Sequence, residues 1–255
     1  MTKRHLGKHE LEPEKRANSA AVVLDPGGRS PVLLICDHAS NWIPDEYAEL
    51  GVAPQMLNAH VAWDEGAETV TRTWSRILEA KAVMGVVSRL VIDLNRQPER
   101  PDVIPAVSHG VNVPGNEGLT REERESRFER FYYPYHDMVD QLVTDDVEVL
   151  MTVHTFSQDV DPVARDFEIG LLYDRYGAKM VELAKQFESA GCRTRLNEPY
   201  SGMSEVESTA RRHGRQHGRV YFELEINSRL VSEPGKAVEW AERLAPVLRS
   251  LTGNL

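Results

Sequence analysis

The sequence predicts an α/β fold, a three-layer α/β/α sandwich with a mixed, mainly parallel sheet. Three observations carry this. Short apolar runs alternate with segments of helical periodicity along most of the chain, the order expected of strands and their covering helices. Many of the runs are continuously apolar rather than alternating, as strands covered on both faces are. With 255 residues, 41% of them hydrophobic and 27% charged, the chain can bury one large core and is too apolar to stay disordered.

The elements follow in order. Residues 1–19 are polar and charged and read as an N-terminal arm, leaving 20–255 as a single domain. Apolar runs predict strands at 20–24, 31–36, 82–87, 89–94, 147–153, 167–173 and 219–226. Helical spacing predicts helices at 66–80, 176–190, 204–216 and 234–252. A capping box, Thr120-Arg121-Glu122-Glu123, opens a further helix whose apolar positions Phe128, Phe131, Tyr135, Met138, Val139 and Leu142 recur at helical spacing. Pro134 falls within it and should kink or divide it. Residues 97–119 are rich in Pro and Gly and lack periodicity. They read as a wall or lid of a site, against the plainer reading of a surface excursion.

Charge and cysteine content narrow the functional classes. The formal net charge of -10 repels a phosphate backbone, and the basic stretch Arg211-Arg212-His213-Gly214-Arg215 is explained by one face of a helix, so nucleic acid is not expected as a partner. The two cysteines, Cys36 and Cys192, form no CxxC pair, and Cys36 sits in an apolar run as a small core residue. A reducing compartment follows, and the basic N-terminus has no apolar stretch behind it, so no signal peptide is expected. No run is long enough to span a membrane. A cytoplasmic protein, monomeric or a small homo-oligomer, is the expectation.

The chemistry gathers at strand ends. Asp37-His38-Ala39-Ser40-Asn41 follows the run 31–36, and His154-Thr155-Phe156-Ser157 follows the run 147–153. Ligands of open α/β sheets bind beyond the carboxyl ends of the strands, so the two imidazoles can converge on one metal ion. Taken alone, a histidine after a strand is more often a hydrogen-bonded structural residue than a ligand, and it is the pair that favours a metal. A catalytic zinc takes three protein ligands and leaves one position open. Asp64, Glu65 and His60 are the candidates for the third, with Asp64 preferred. Asp93-Leu94-Asn95-Arg96 ends another apolar run, and a guanidinium there suits a substrate carboxylate, against an ordinary ion pair. Glu223 and Glu225 lie two apart and so share one face of a strand, where either can act as proton acceptor beside a metal. A solvated edge is the alternative for that acidic pair.

Several blocks in order resemble the N-formylglutamate amidohydrolase family over about residues 20–250. They are Asp37-His38-Ala39-Ser40-Asn41 with Pro44, His60-Val61-Ala62-Trp63-Asp64 with Gly66-Ala67, and Ser88-Arg89-Leu90 with Asp93 and Asn95-Arg96. Pro114-Gly115-Asn116-Glu117-Gly118-Leu119, His154-Thr155-Phe156, Pro199-Tyr200-Ser201 and Glu225-Ile226-Asn227 complete the pattern. The detailed resemblance is to the divergent bacterial branch of the family. The resemblance implies a phosphorylase/hydrolase-like, zinc carboxypeptidase-like fold. It implies one divalent ion, zinc, on His38, Asp64 and His154. It gives Glu225 the role of base, with Glu223 as rival and Arg89 on the oxyanion. Asn95, Arg96, Asn116 and Tyr200 are assigned to the substrate. The implied substrate is an N-acyl amino acid such as N-formylglutamate, which places the activity in amino-acid catabolism of the kind found in histidine degradation. The alternatives are another N-acyl amino acid, a short peptide, or an inactive metal- or ligand-binding homologue. The last rests on Asn41, which stands where the related carboxypeptidases carry the glutamate of His-x-x-Glu.

Overall fold

The computed structural model describes residues 19–157, 165–203 and 209–252. The expected arm, save residue 19, and the first residues of the helix expected at 204–216 lie outside the described residues.

Among the described residues nine strands form: β1 (Ala21–Leu24), β2 (Val32–Cys36), β3 (Ala82–Gly85), β4 (Val107–Ser108), β5 (Val111–Asn112), β6 (Val149–Phe156), β7 (Ile169–Leu172), β8 (Thr194–Leu196) and β9 (Val220–Asn227). Seven make one sheet in the order β1-β3-β2-β6-β9-β7-β8, while β4 and β5 form a separate hairpin. β3, β2, β6 and β9 run parallel to their neighbours, β1 and β7 join antiparallel, and β8 is parallel to β7. The sheet is therefore mixed and mainly parallel, as the apolar runs predict.

The α-helices are α1 (Pro54–Leu57), α2 (Ala67–Leu78), α3 (Arg121–Arg127), α4 (Tyr133–Leu142), α5 (Gly177–Ser189), α6 (Thr209–His217) and α7 (Pro234–Arg249). They sort by the side-chain alternation of the strands. Val149, Met151 and Val153 of β6 and Phe222, Leu224 and Ile226 of β9 face a core closed by α2, α5 and α7. Trp74 of α2 anchors that layer, fully buried, its indole donating to Ala241 O at 2.9 Å. Truncating such a side chain to Ala typically costs about 3–5 kcal/mol. The other face carries Leu150 and Tyr221 against α4, Ala210 of α6 and the segments 42–63 and 87–113. Because side chains alternate, Thr152 and His154 of β6 and Glu223 and Glu225 of β9 also point to this second face.

Three departures from the sequence reading bear on the site. The run 89–94 is not a strand. β3 stops at Gly85, and residues 86–96 are a buried irregular segment whose backbone bonds to other loops. Ser88 N donates to Trp42 O at 2.8 Å and Asp93 N to Val103 O at 2.7 Å. Gly85 is needed where β3 ends, since a Cβ there would lie 2.3 Å from Asp37 O. β6 continues through Phe156, so His154 belongs to the strand rather than to the loop after it. β8 is a three-residue edge strand that the sequence did not announce.

The capping box is formed: Thr120 Oγ1 accepts from Glu123 N at 3.1 Å, and Glu123 reaches back to Thr120 N at 2.8 Å. Pro134 divides the helix as expected. A π-turn at Phe128–Tyr132 precedes α4, with Tyr133 N donating to Phe128 O, and Pro134 sits in the first turn of α4 where its missing N–H is tolerated.

Candidate active site

The carboxyl ends of four adjacent parallel strands, β3, β2, β6 and β9, feed one buried cluster. The segment after β3 brings Arg89, Asp93 and Asn95, the residues after β2 bring Asp37 and His38, and the ends of β6 and β9 bring His154 and Glu225. Asp64 arrives from the turn before α2. Its amide donates to His38 O at 3.0 Å, which fixes the two loops together. The turn depends on Gly66, whose φ of +85° and 2.2 Å clearance to Val231 O exclude any side chain.

His38, Asp64 and His154 are all buried, and one ligand atom from each lies within 4.8 Å of the others. His38 Nδ1 stands 3.5 Å from Asp64 Oδ2, and His154 Nδ1 stands 2.8 Å from the same oxygen. Each imidazole has a carboxylate behind it. His38 Nε2 meets Asp93 Oδ1 at 2.7 Å, and His154 Nε2 meets Asp37 Oδ2 at 3.2 Å. Carboxylates only accept, so both Nε2 atoms carry protons, and both Nδ1 atoms face Asp64, that of His154 close enough to donate to it as well.

The electrostatics follow from these contacts. Burial and the Arg89 charge push His38 down to about 4, so its Nδ1 lone pair is available at neutral pH, and it has no hydrogen-bond partner among the described residues. Burial also works against protonation of His154, but the hydrogen bond and charge of Asp37, with Glu225 and Glu223 behind, outweigh it and raise the group to about 9. Burial opposes ionisation of Asp93, yet His38 and Arg96 hold its carboxyl far below the ordinary range. Two imidazoles and one carboxylate, with a buried orphan lone pair among them, fit zinc.

Of the three candidates for the third position, Asp64 joins the cluster. His60 Nδ1 stays 3.6 Å from Asp64 Oδ1 and packs edge-on against His109 at 5.3 Å, while Glu65 is half-buried and its carboxyl is raised by burial. Asn41 turns away, donating to Leu57 O at 2.9 Å.

The remaining residues occupy distinct places. Arg89 is buried and pairs with Asp64 Oδ1. Glu225 is the register neighbour of His154 across β6 and β9, and Glu223 lies one pair back on the same face. Glu223 Oε2 accepts from Asn95 Nδ2 at 3.4 Å, and that amide is equally far from His154 Nε2. Arg96 lies on the rim, 3.8 Å from Asp93 and 3.6 Å from Asp102. Tyr200 OH is 3.4 Å from Arg165, and burial and Glu225 raise its phenol. Asn116, expected at the substrate, is engaged within the protein. Its amide N–H groups go to Leu90 O and Pro105 O, both at 2.7 Å, and its oxygen accepts from Arg127 at 2.6 Å, so it pins the 97–119 loop.

Sequence reasoning passed over Asp37 and Asp93 as partners of the imidazoles, although each lies inside a quoted block. It also missed His109. The β4–β5 hairpin, within the 97–119 segment, carries His109 against His60.

The family model for N-formylglutamate amidohydrolase matches residues 30–232. The chain belongs to this family. It is accordingly a hydrolase acting on amide bonds. Among solved structures, the gene product Atu2144 from Agrobacterium tumefaciens is similar, with 32% identity, a TM-score of 0.87 and coverage of 95% of this chain and 99% of that one. An N-formylglutamate amidohydrolase from Ralstonia eutropha JMP134 shares the fold at 19% identity and a TM-score of 0.63, covering 91% and 96%. No curated protein matches the chain. Among the described residues no helix is long and apolar enough to cross a membrane.

Proposed function

We propose that this member of the N-formylglutamate amidohydrolase family is a zinc-dependent enzyme that removes the formyl group, or another small acyl group, from the nitrogen of an amino acid such as glutamate. The observation that carries the reading is the convergence of His38 Nδ1, His154 Nδ1 and Asp64, each imidazole backed by its own carboxylate. These three residues would hold the ion, and the ion would supply Lewis acidity toward water and the scissile carbonyl.

The chain's own groups then divide the work. Glu225, beside His154 on the next strand, takes a proton from the attacking water as its oxygen adds to the acyl carbon. As the C–N bond breaks, the same carboxyl returns that proton to the amino-acid nitrogen. The products are formate, or the corresponding acid, and the free amine. Glu223, engaged with Asn95, supports rather than reacts. The Arg89 guanidinium is a buried positive charge at the cluster and stabilises the negative charge that grows on the carbonyl oxygen. Arg96 on the rim, with Asn95 and Tyr200, receives the substrate carboxylate.

The test is a hydrolysis screen of zinc-loaded protein against N-formyl, N-acetyl and N-succinyl amino acids and short peptides, read as free amine. Release from N-formylglutamate above the other substrates is expected. Cleavage of none of them contradicts the proposal.

A further inference from the structure

A second group of imidazoles and a carboxylate lies outside the machinery just described. His213 and His217 are four apart on α6 and so share one of its faces, and Asp140 faces them from α4. Their ligand atoms also lie within 4.8 Å of one another. His213 Nδ1 is 2.6 Å and His217 Nε2 is 2.8 Å from the same atom, Asp140 Oδ1. His213 is fully buried, whereas the side chains of Asp140 and His217 are 29% and 26% exposed, so a small ion can reach the group from solvent.

The hydrogen-bond chain behind His213 fixes its tautomer. His136 Nε2 stands 3.1 Å from Leu94 O, and a carbonyl only accepts, so His136 carries its proton on Nε2. In that tautomer its Nδ1 is the acceptor. That atom is 2.8 Å from His213 Nε2, which must therefore be the donor. With Nε2 committed to His136, Nδ1 is the His213 ring atom turned on the Asp140 carboxylate.

We propose that Asp140, His213 and His217 form a second divalent-metal site, for zinc or a similar borderline ion, that clamps α4 to α6. Two imidazoles and one carboxylate leave a fourth position for solvent, and the three atoms need separate only to roughly 3.3 Å, the edge of a tetrahedron with bonds of about 2.0–2.1 Å. His136 is the positioning residue, holding the His213 tautomer as second-layer carboxylates or carbonyls commonly do for ligating histidines. The clamp acts on the first site at one remove. Thr209 of α6 donates its N–H to Asn95 Oδ1 at 2.9 Å and its hydroxyl to Leu94 O at 3.1 Å.

The test is zinc titration of chelator-stripped full-length protein in competition with a chromophoric chelator. Two equivalents are expected for the wild type and one for His217→Ala, His217→Gln and Asp140→Asn, with circular dichroism showing each variant folded. His136→Phe should keep the second equivalent but bind it about 10–100-fold more weakly. His38→Ala should retain this second equivalent, so failure of the first site appears separately, as one equivalent in the wild type and none in His217→Ala. Equal stoichiometry in wild type and His217→Ala overturns the proposal and leaves a protonated His213 paired with Asp140. So does a second equivalent that survives Asp140→Asn, which would mark a bare histidine pair on a helix surface.

Discussion

His38 Nε2 lies 2.7 Å from Asp93 Oδ1, and this contact, made between residues 55 apart in sequence, orients the imidazole whose other nitrogen faces Asp64. Removing the charge while keeping the shape should therefore act through the metal. Asp93→Asn is expected to weaken zinc at the first site about 10–100-fold. Competition titration in the His217→Ala background reads that site alone.

Glu225 and Glu223 share a face but not a neighbourhood. Glu225→Gln should lower turnover by roughly 10²–10⁴ while zinc content stays unchanged, as loss of a general base requires. Glu223→Gln should cost much less. Steady-state rates and metal analysis of both variants decide between the two acids, and the reverse ranking would exchange their roles.

Arg96 stands between Asp93 and Asp102 on the rim of the cluster. Arg96→Lys keeps the charge and loses the planar fork, so catalytic efficiency should fall by about 1.5–3 kcal/mol, the range for a hydrogen bond to a charged group. The comparison is an N-acyl amino acid against its amide, in wild type and variant. A wild type indifferent to that difference makes Arg96 structural.

Acid should destabilise the fold in part through His136. Its folded value, pushed down to about 3 by burial and by His213, lies below the ordinary 6.5. Between those limits the unfolded chain binds a proton that the folded chain does not, so this contribution is complete above pH 6.5 and is lost as pH falls toward 3. His136→Phe should be less stable at pH 7, having lost its bond to Leu94 O, but its urea midpoint should change less between pH 7 and pH 5. Midpoints measured in chelator test this, and equal pH dependence would contradict it.

Much of the architecture was legible because buried parallel strands are continuously apolar. The same signal misled at 89–94. That run is apolar because it is buried, with Leu90, Val91, Ile92 and Leu94 fully covered, but its backbone partners are loops rather than a neighbouring strand. Thr194–Leu196 was invisible because three residues at a sheet edge need no apolar pattern. At the site, His38 and His154 stood out by their position after apolar runs. Asp37 and Asp93 did not, because an acid at a strand end has many ordinary uses and only the fold shows which imidazole it meets. Asn116 fitted the family pattern, yet its contacts show an amide that holds a loop.

The central claim is that His38, Asp64 and His154 together hold the ion on which hydrolysis depends. The most direct measurement follows amine release from N-formylglutamate by the full-length protein before chelation, after it, and after zinc is returned, alongside Asp64→Asn treated identically. The account predicts that turnover disappears with the metal and returns with zinc in the wild type, while folded Asp64→Asn stays at least about 100-fold slower. Undiminished turnover in the metal-free protein, or full recovery by Asp64→Asn, would contradict it.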